Sequence, residues 1–503
     1  MEEIIKKRVY HCLLFLIIAA GVFLRLNFYI SNGILEDDEC RMAVFMYNKN
    51  LLEMFLPLGP LSSSPIFLSL SKIAALITDY NEHALKTLPL LFSLGSVYMF
   101  YKLTVKYYKH RFSIILANFI FAFNSILVYY AGIFKQYSLE YFLSIVLIYF
   151  LPEVKLDKLN IKQTLLFSFL MILCVLSSTP SVFIIGCFVL INIFNNLKNS
   201  EFYKKLFIFL IPFCAVSLLY YIFNLAPTQA LQMKYYSELW SGVYSTNVIL
   251  AFLMTLRFTF QPVMIIIPIL MIIAYYINFL LEKSFRNKYD IYLALTLLSV
   301  VILHILNLYP LYRRAFVFVI PIVLLIIIKP IDYIRMNKKL FYAVIFISSV
   351  LFFGQYFLPK NFVYDDLIIY SPKNLMQETV KNYNPDTDVV ITNEASVSSF
   401  MFYARKMNFN PSKIIILTRL NQLNALENDK NYWLYLVKDF ENAPVLLFIQ
   451  KWLEEQNISY TLNEKRSYLY YIKPPYKPVR KDLFLKGQKY ADYITKKDFI
   501  KKL

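Results

Sequence analysis

Apolar runs about as long as a bilayer is thick, separated by short charged links, fill the first 358 positions of this chain. A helix needs about 20 such residues to cross the hydrocarbon core, and fewer where flanking Lys or Arg reach back to the interface. That criterion predicts spans near 9–30, 87–106, 112–131, 134–151, 162–179, 181–196, 206–225, 259–281, 290–308, 314–329 and 339–358, about eleven transmembrane helices. In the link 31–86, positions 41–55 and 65–77 carry apolar residues at helical spacing, which predicts two short interfacial helices. The segment 226–258 mixes Gln232, Lys234 and Glu238 with Trp240 and fits either a lid or an interfacial loop.

After position 358 the pattern becomes that of a water-soluble domain. Strands are predicted at 388–392, 413–418, 433–437, 458–462 and 468–472, with helices at 396–406 and 443–456. The expected architecture is a polytopic α-helical membrane protein: a transmembrane domain over 1–358 and a C-terminal extracytoplasmic α/β domain over 359–503, ending in a basic tail from Lys473.

Composition supports the membrane assignment, because 58% of the 503 residues are hydrophobic, 17% are charged and the mean hydropathy is +0.51. The net charge of +19 would suggest nucleic acid in a soluble protein. Here the excess falls in alternate links: Lys6-Lys7-Arg8; Lys106, Lys109 and Arg111; Lys155, Lys158 and Lys162; Lys198, Lys204 and Lys205; Lys283, Arg286 and Lys288; Lys329, Arg335, Lys338 and Lys339. Six links agree on one cytoplasmic side, so the charge reads as topology in a multi-pass protein of the cytoplasmic membrane with its N-terminus inside. The first apolar run lacks a small-residue cleavage site and reads as an uncleaved span. Five cysteines show no paired metal spacing, which argues against a zinc site or disulfide framework. No P-loop, dinucleotide fingerprint or solenoid repeat occurs.

Candidate chemistry begins with Leu35-Glu36-Asp37-Asp38-Glu39-Cys40-Arg41, four consecutive acids just past the first span. An isolated charge run is usually a solvated turn. Crowded carboxylates near a bilayer nevertheless favour a cation, a proton or a polar substrate beside them. Positive residues are scarce on the translocated side, yet Lys135 and the pair Arg313-Arg314 are expected there, on the same side as Asp38. Snorkelling accounts for many interfacial cations. The coincidence of acids and cations on one face points instead to a pocket in which a guanidinium or ammonium meets phosphate and a carboxylate activates a hydroxyl.

These residues resemble the polytopic type C glycosyltransferases (GT-C fold), family 39-like, the superfamily of the protein O-mannosyltransferases and lipid A aminoarabinose transferases. The resemblance rests on Arg25 closing span one before Asp38-Glu39. It continues through Ser63-Ser64-Pro65-Ile66-Phe67 to Asn81-Glu82-His83-Ala84-Leu85-Lys86, where Lys86 stands for the usual arginine. Tyr129-Tyr130 with Lys135 to Glu140, and Tyr309 to Arg314 followed by Phe316 and Pro321, complete it over about residues 10–330.

The resemblance implies inverting transfer of a monosaccharide from a polyprenyl-phosphate donor to a membrane lipid, glycan or protein acceptor on the outer face. On that basis Asp38 is the base or acceptor-orienting carboxylate, Glu39 supports it, and Asp37 is the alternative one position away. Lys135, Arg313 and Arg314 are donor-phosphate candidates, with Tyr137, Lys86 and His83 as further candidates. A lone histidine such as His83 is usually structural. A divalent cation is compatible with the acidic run, although no spacing demands one and no cofactor is implied. The competing functions are a lipid-linked sugar flippase or transporter, a polysaccharide polymerase or ligase, and a non-catalytic subunit. A transporter should show inverted repeats with Gly- or Pro-broken spans in matching halves, and the sequence shows no convincing repeat. Loss of the Asp-Glu pair would have suggested a non-catalytic subunit, and Asp38-Glu39 is present.

Overall fold

The computed structural model describes residues 2–57, 63–231, 266–306, 308–309, 313–333, 372–393, 396–417, 422–423, 426–437, 449–454, 461–464 and 467–474, together with Phe252, Leu256 and Ile458. It separates into two compact units: Met1–Asn32 with Leu51–Val363, and Gly33–Asn50 with Tyr364–Leu503. The link 31–86, expected to stay with the spans, is therefore divided, and the acidic run groups with the C-terminal residues.

The first unit is helical. Its described elements are α1 (Glu2–Ser31), α3 (Pro65–Ile77), α4 (Glu82–Tyr107), α5 (Arg111–Phe123), α6 (Ser125–Ala131), α7 (Tyr137–Phe150), α8 (Ile161–Ser177), α9 (Ser181–Asn195) and α10 (Ser200–Tyr220). A π-helical turn, Tyr221–Leu225, follows, then α11 (Ile266–Leu281), α12 (Lys288–Ile305), the 3-10 turn Arg313–Val319 and α13 (Ile320–Tyr333). Among the described residues, five helices are long and apolar enough to cross a membrane, or six if α5 and α6 count as one bent span. This is a multi-pass membrane protein. The expected span 339–358 and the loop at 232–251 lie outside the described residues.

The span expected at 112–131 is broken. It bends by 51° between α5 and α6, where the Asn124 side chain accepts from the Leu127 N–H at 3.1 Å and starts a new helix. The carbonyls at the end of α5 are met by Arg25 of α1. Its fully buried guanidinium donates to Ala122 O (2.8 Å), Phe121 O (3.3 Å) and Gly21 O (2.9 Å), and its Nε donates to Ser93 Oγ on α4 (2.9 Å). Gly21 lets the helices approach this closely, since a Cβ there would lie 2.7 Å from Ala122 Cβ. Arg25, part of the sequence resemblance, thus pins three helices around the break.

The charged links gather at one end of these helices. Glu153 lies 3.6 Å from Lys106, also pairs with Lys288, and accepts from the Tyr289 hydroxyl at 2.9 Å. Asp332 takes the Lys109 and His110 backbone N–H groups at 3.1 and 2.9 Å, capping the start of α5. Lys329, counted above as a loop charge, is instead buried and lies 3.7 Å from the buried Asp290.

The second unit holds α2 (Asp37–Asn48), α14 (Pro372–Asn382), α15 (Val397–Lys406) and a five-stranded sheet. Its strands are β1 (Asp388–Asn393), β2 (Ile414–Leu417), β3 (Asn431–Val437), β4 (Leu462–Glu464) and β5 (Ser467–Ile472), in the order β2-β1-β3-β5-β4. β1 lies between β2 and β3, parallel to both, and all six of its residues are buried, so both of its faces are covered, which explains its unbroken Val-Val-Ile run. The hairpin of β4 and β5 is antiparallel; β5 covers the predicted strand 468–472, whereas β4 begins at Leu462, where the predicted strand 458–462 ends. α14 was not foreseen. Of the predicted helix 443–456, residues 449–454 are helical, and the others lie outside the described residues.

Asp388 anchors this sheet. Its carboxylate accepts from Trp433 Nε1 (2.9 Å), Asn431 Nδ2 (3.0 Å), Thr387 Oγ1 (2.8 Å) and the Asn384 N–H (3.1 Å). Burial alone would push the Asp388 carboxyl up, but these donors outweigh it and hold it below the usual carboxylate range. A lowered folded pKa contributes stability that is present above the ordinary range, near pH 4, and lost as the pH falls through the folded value. Asp388→Ala should therefore unfold the α/β unit more easily at neutral pH, and its difference from the parent should close on acidification. Urea unfolding followed by tryptophan fluorescence at several pH values checks both.

Candidate functional site

The acidic run opens a helix. Three acids, Asp37, Asp38 and Glu39, occupy the first turn of α2, where free N–H groups and the helix dipole offset their repulsion. Their surroundings differ. Glu39 is fully buried, and its Oε2 accepts from the Glu36 backbone N–H at 2.7 Å, the returning half of a capping box. Asp37 is buried too, with one oxygen 3.3 Å from the Ser399 N–H and the other 3.5 Å from Arg41 Nη2. Asp38 is half-buried, the least enclosed of the three.

Helix α15 packs along α2 within the same unit. The fully buried Tyr403 hydroxyl accepts from the Leu35 N–H at 3.0 Å, the Tyr47 ring lies 6.1 Å from Phe402, and the Arg405 guanidinium stands 4.1 Å over Tyr47. Burial pushes the Tyr435 phenol on β3 well above its ordinary value, and Cys40 and Asp37 nearby add to that shift.

The candidate cations of the first unit lie at the helix ends opposite the Glu153 cluster. Lys86, on the second turn of α4, is fully buried and donates to the Asn32 carbonyl at 3.1 Å; Asn32 Nδ2 donates in turn to Gly132 O at 2.9 Å. Lys135 is buried in the turn between α6 and α7, its backbone N–H bonded to Ile133 O at 2.8 Å. The ring of Phe134 beside it packs at a tilt, 5.8 Å from that of Phe67, which brings the start of α3 against this turn. There the hydroxyls of Ser63 and Ser64, and Oδ1 of Asn32, are buried without a hydrogen-bond partner among the described residues. Orphaned acceptors and hydroxyls of this kind carry a desolvation cost until a polar group reaches them.

Of the remaining candidates, Tyr137 is half-buried with its ring 4.6 Å from Tyr130. His83 serves the helix packing: its carbonyl accepts from the Tyr29 hydroxyl at 2.9 Å, and its ring meets the Tyr29 ring edge-on at 5.4 Å. Arg314 is exposed on the 3-10 turn, which packs against α7, while the Arg313 side chain lies outside the described residues. Among the described residues no group of three or more His, Cys, Asp or Glu is arranged to hold a metal ion.

Two buried acids inside predicted spans were not chosen from sequence. Glu140, in the first turn of α7, and Asp290, in the first turn of α12, both sit inside apolar helices. An ionisable residue within a predicted span is itself a signal, and it could have flagged them.

No protein-family model and no curated protein matches the chain. Among solved structures, ArnT from Cupriavidus metallidurans bound to undecaprenyl phosphate aligns with a TM-score of 0.54 at 8% identity, over 92% of this chain and 99% of that one. The apo form of that protein gives 0.52 at 9% identity, over 92% and 98%. An oligosaccharyltransferase from Archaeoglobus fulgidus, in complex with Zn and sulfate, gives 0.49 at 12% identity, over 86% and 69%. The chain thus has the fold of the ArnT structures, the polytopic GT-C membrane fold that the sequence resemblance implied.

Proposed function

We propose that this chain is an integral membrane glycosyltransferase that moves a monosaccharide from a polyprenyl-phosphate donor to a lipid, glycan or protein acceptor at the outer face, inverting the anomeric carbon. The observation that carries it is the likeness, over nearly the whole of both chains, to a structure holding undecaprenyl phosphate. The site chemistry is consistent with it. A phosphate leaves without strong acid assistance, so a single displacement needs one carboxylate, unlike the two of a glycoside hydrolase. Asp38 is that carboxylate, acting as base on a hydroxyl or orienting an acceptor that is itself a phosphate. Asp37 and Glu39 hold the helix that presents it.

On this proposal the donor phosphate is met by Lys135, Arg313 and Arg314, which stabilise charge growing on the leaving oxygens. Ser63 and Ser64, at the start of α3, offer hydroxyls and a helix N-terminus to the same group. The topology that goes with this is eleven spans with a cytoplasmic N-terminus.

The test is sugar transfer by the purified chain in detergent from polyprenyl-phosphate sugars, with products identified by mass spectrometry. Lys135→Ala and Arg313→Ala should raise the apparent KM for donor about ten- to a hundredfold, the range expected for a lost charge-assisted hydrogen bond, and change acceptor KM less. Transfer from no donor of this class would refute the proposal, and an unchanged donor KM in both variants would return these cations to snorkelling.

A further inference from the structure

The parallel strands of the second unit follow a βαβ pattern in which the chain leaves β1 for β2 on one side and then crosses to β3 on the other. In open α/β sheets such a reversal leaves a crevice beyond the carboxyl ends of the strands, where the next helix aims its free N–H groups, and anions commonly occupy it. Here the crevice lies at the ends of β1 and β3, where the Ser396 hydroxyl donates to Tyr435 O at 3.1 Å and α15 begins. The anion at the N-terminus of α15 is Asp37, held by the Ser399 N–H.

We infer that the C-terminal α/β unit is a clamp for the acidic helix, with Asp37 as its internal anionic ligand and with Tyr403 and Ser399 as positioning residues for Asp38. This rests on the proposed role of Asp38. The grip has two points within three residues: the Tyr403 hydroxyl holds the Leu35 backbone N–H, before the helix, and the Ser399 N–H holds the side-chain carboxylate of Asp37, its first residue. Two fixed points set both the height and the rotation of α2. Asp38 follows Asp37 by about 100° around the helix axis, so its direction is set by the same contacts. Arg41, one turn on, closes the other side of Asp37, and Phe402 and Arg405 pack on Tyr47 further along the helix. The domain does by its own carboxylate what related folds do with a bound phosphate.

The experiment uses the full chain in detergent, with Tyr403→Phe, Asp37→Asn and Asp37→Ala. Amide hydrogen exchange over residues 33–46 reads the clamp itself, independently of any reaction. Tyr403→Phe, which keeps the ring and removes the oxygen that accepts from Leu35, should speed exchange at residues 35–40. It should also lower kcat about tenfold or more while leaving donor KM within twofold, because misplacement by a fraction of an ångström acts on the chemical step. Asp37→Asn keeps an oxygen for the Ser399 N–H and should retain most of the activity that Asp37→Ala loses. Exchange at 35–40 unchanged in Tyr403→Phe would overturn the clamp. Faster exchange with full kcat would overturn the positioning role. If the parent transfers no sugar, the proposed function fails, and the exchange rates still decide whether the clamp exists.

Discussion

Asp38→Asn is expected to abolish sugar transfer while the protein still inserts and melts like the parent. A positioned carboxylate contributes on the order of 10²–10⁴-fold when it takes or orients a proton, so the residual rate should fall by at least the lower figure. The neighbouring substitutions should behave differently. Glu39→Gln weakens the contact with the Glu36 N–H, and Asp37→Ala removes the partner of Arg41 and the Ser399 N–H, so both should lower stability as well as rate. Loss of a helix-capping contact typically costs about 0.5–2 kcal/mol. Rate and melting temperature measured together on the three variants therefore separate a chemical role from a structural one. Full transfer by Asp38→Asn would leave the mechanistic assignment without a base, and a large fall in its melting temperature would make Asp38 one more structural acid.

How far these roles could be read from sequence depends on the distance over which each is decided. The spans are legible because bilayer thickness and apolar run length are local properties, and α1, α4, α10 and α12 fall where hydropathy puts them. The break at Asn124 is not, since Phe121 to Val128 remains apolar enough for one span. What interrupts it is an Asn-Ser pair suited to a helix start, together with an arginine 96 residues away in sequence that takes the Phe121 carbonyl. The acids at 37–39 are legible as a group and indistinguishable individually, because what separates Asp37 from Asp38 is a backbone N–H 362 residues away. Sequence likewise predicted the buried β1, whose Val-Val-Ile run needs only its own pattern, but missed α14. That helix is announced by Pro372 at its first position, while Leu375, Met376 and Thr379 are too few buried positions to set a visible period among its polar neighbours.

Asp290→Ala should destabilise the membrane unit by about 3–5 kcal/mol, the cost of leaving a buried cation without its partner. Lys329 and Asp290 are 4% and 0% exposed, 3.7 Å apart, and embedded in a network. The Asp290 carboxylate accepts from Tyr107 at 2.5 Å, Tyr275 at 3.2 Å and the Asn287 N–H at 2.7 Å, and the Lys329 ammonium lies 4.5 Å over the Tyr107 ring. These contacts tie α4, α11, α12 and α13 together, the helices that carry Tyr107, Tyr275, Asp290 and Lys329. Lys329→Met alone should be comparably costly, since it strands the carboxylate. The double variant Asp290→Asn with Lys329→Met removes both charges and keeps an acceptor for the tyrosines, so it should recover most of the loss. Thermal unfolding in detergent of the parent and Asp290→Ala measures the first loss, and the same measurement on the single variants Asp290→Asn and Lys329→Met, and on the double variant that combines them, measures this coupling. Additive losses would mean that the two charges do not depend on each other, and single variants that melt with the parent would mean that water reaches the pair and bears the charge in its place.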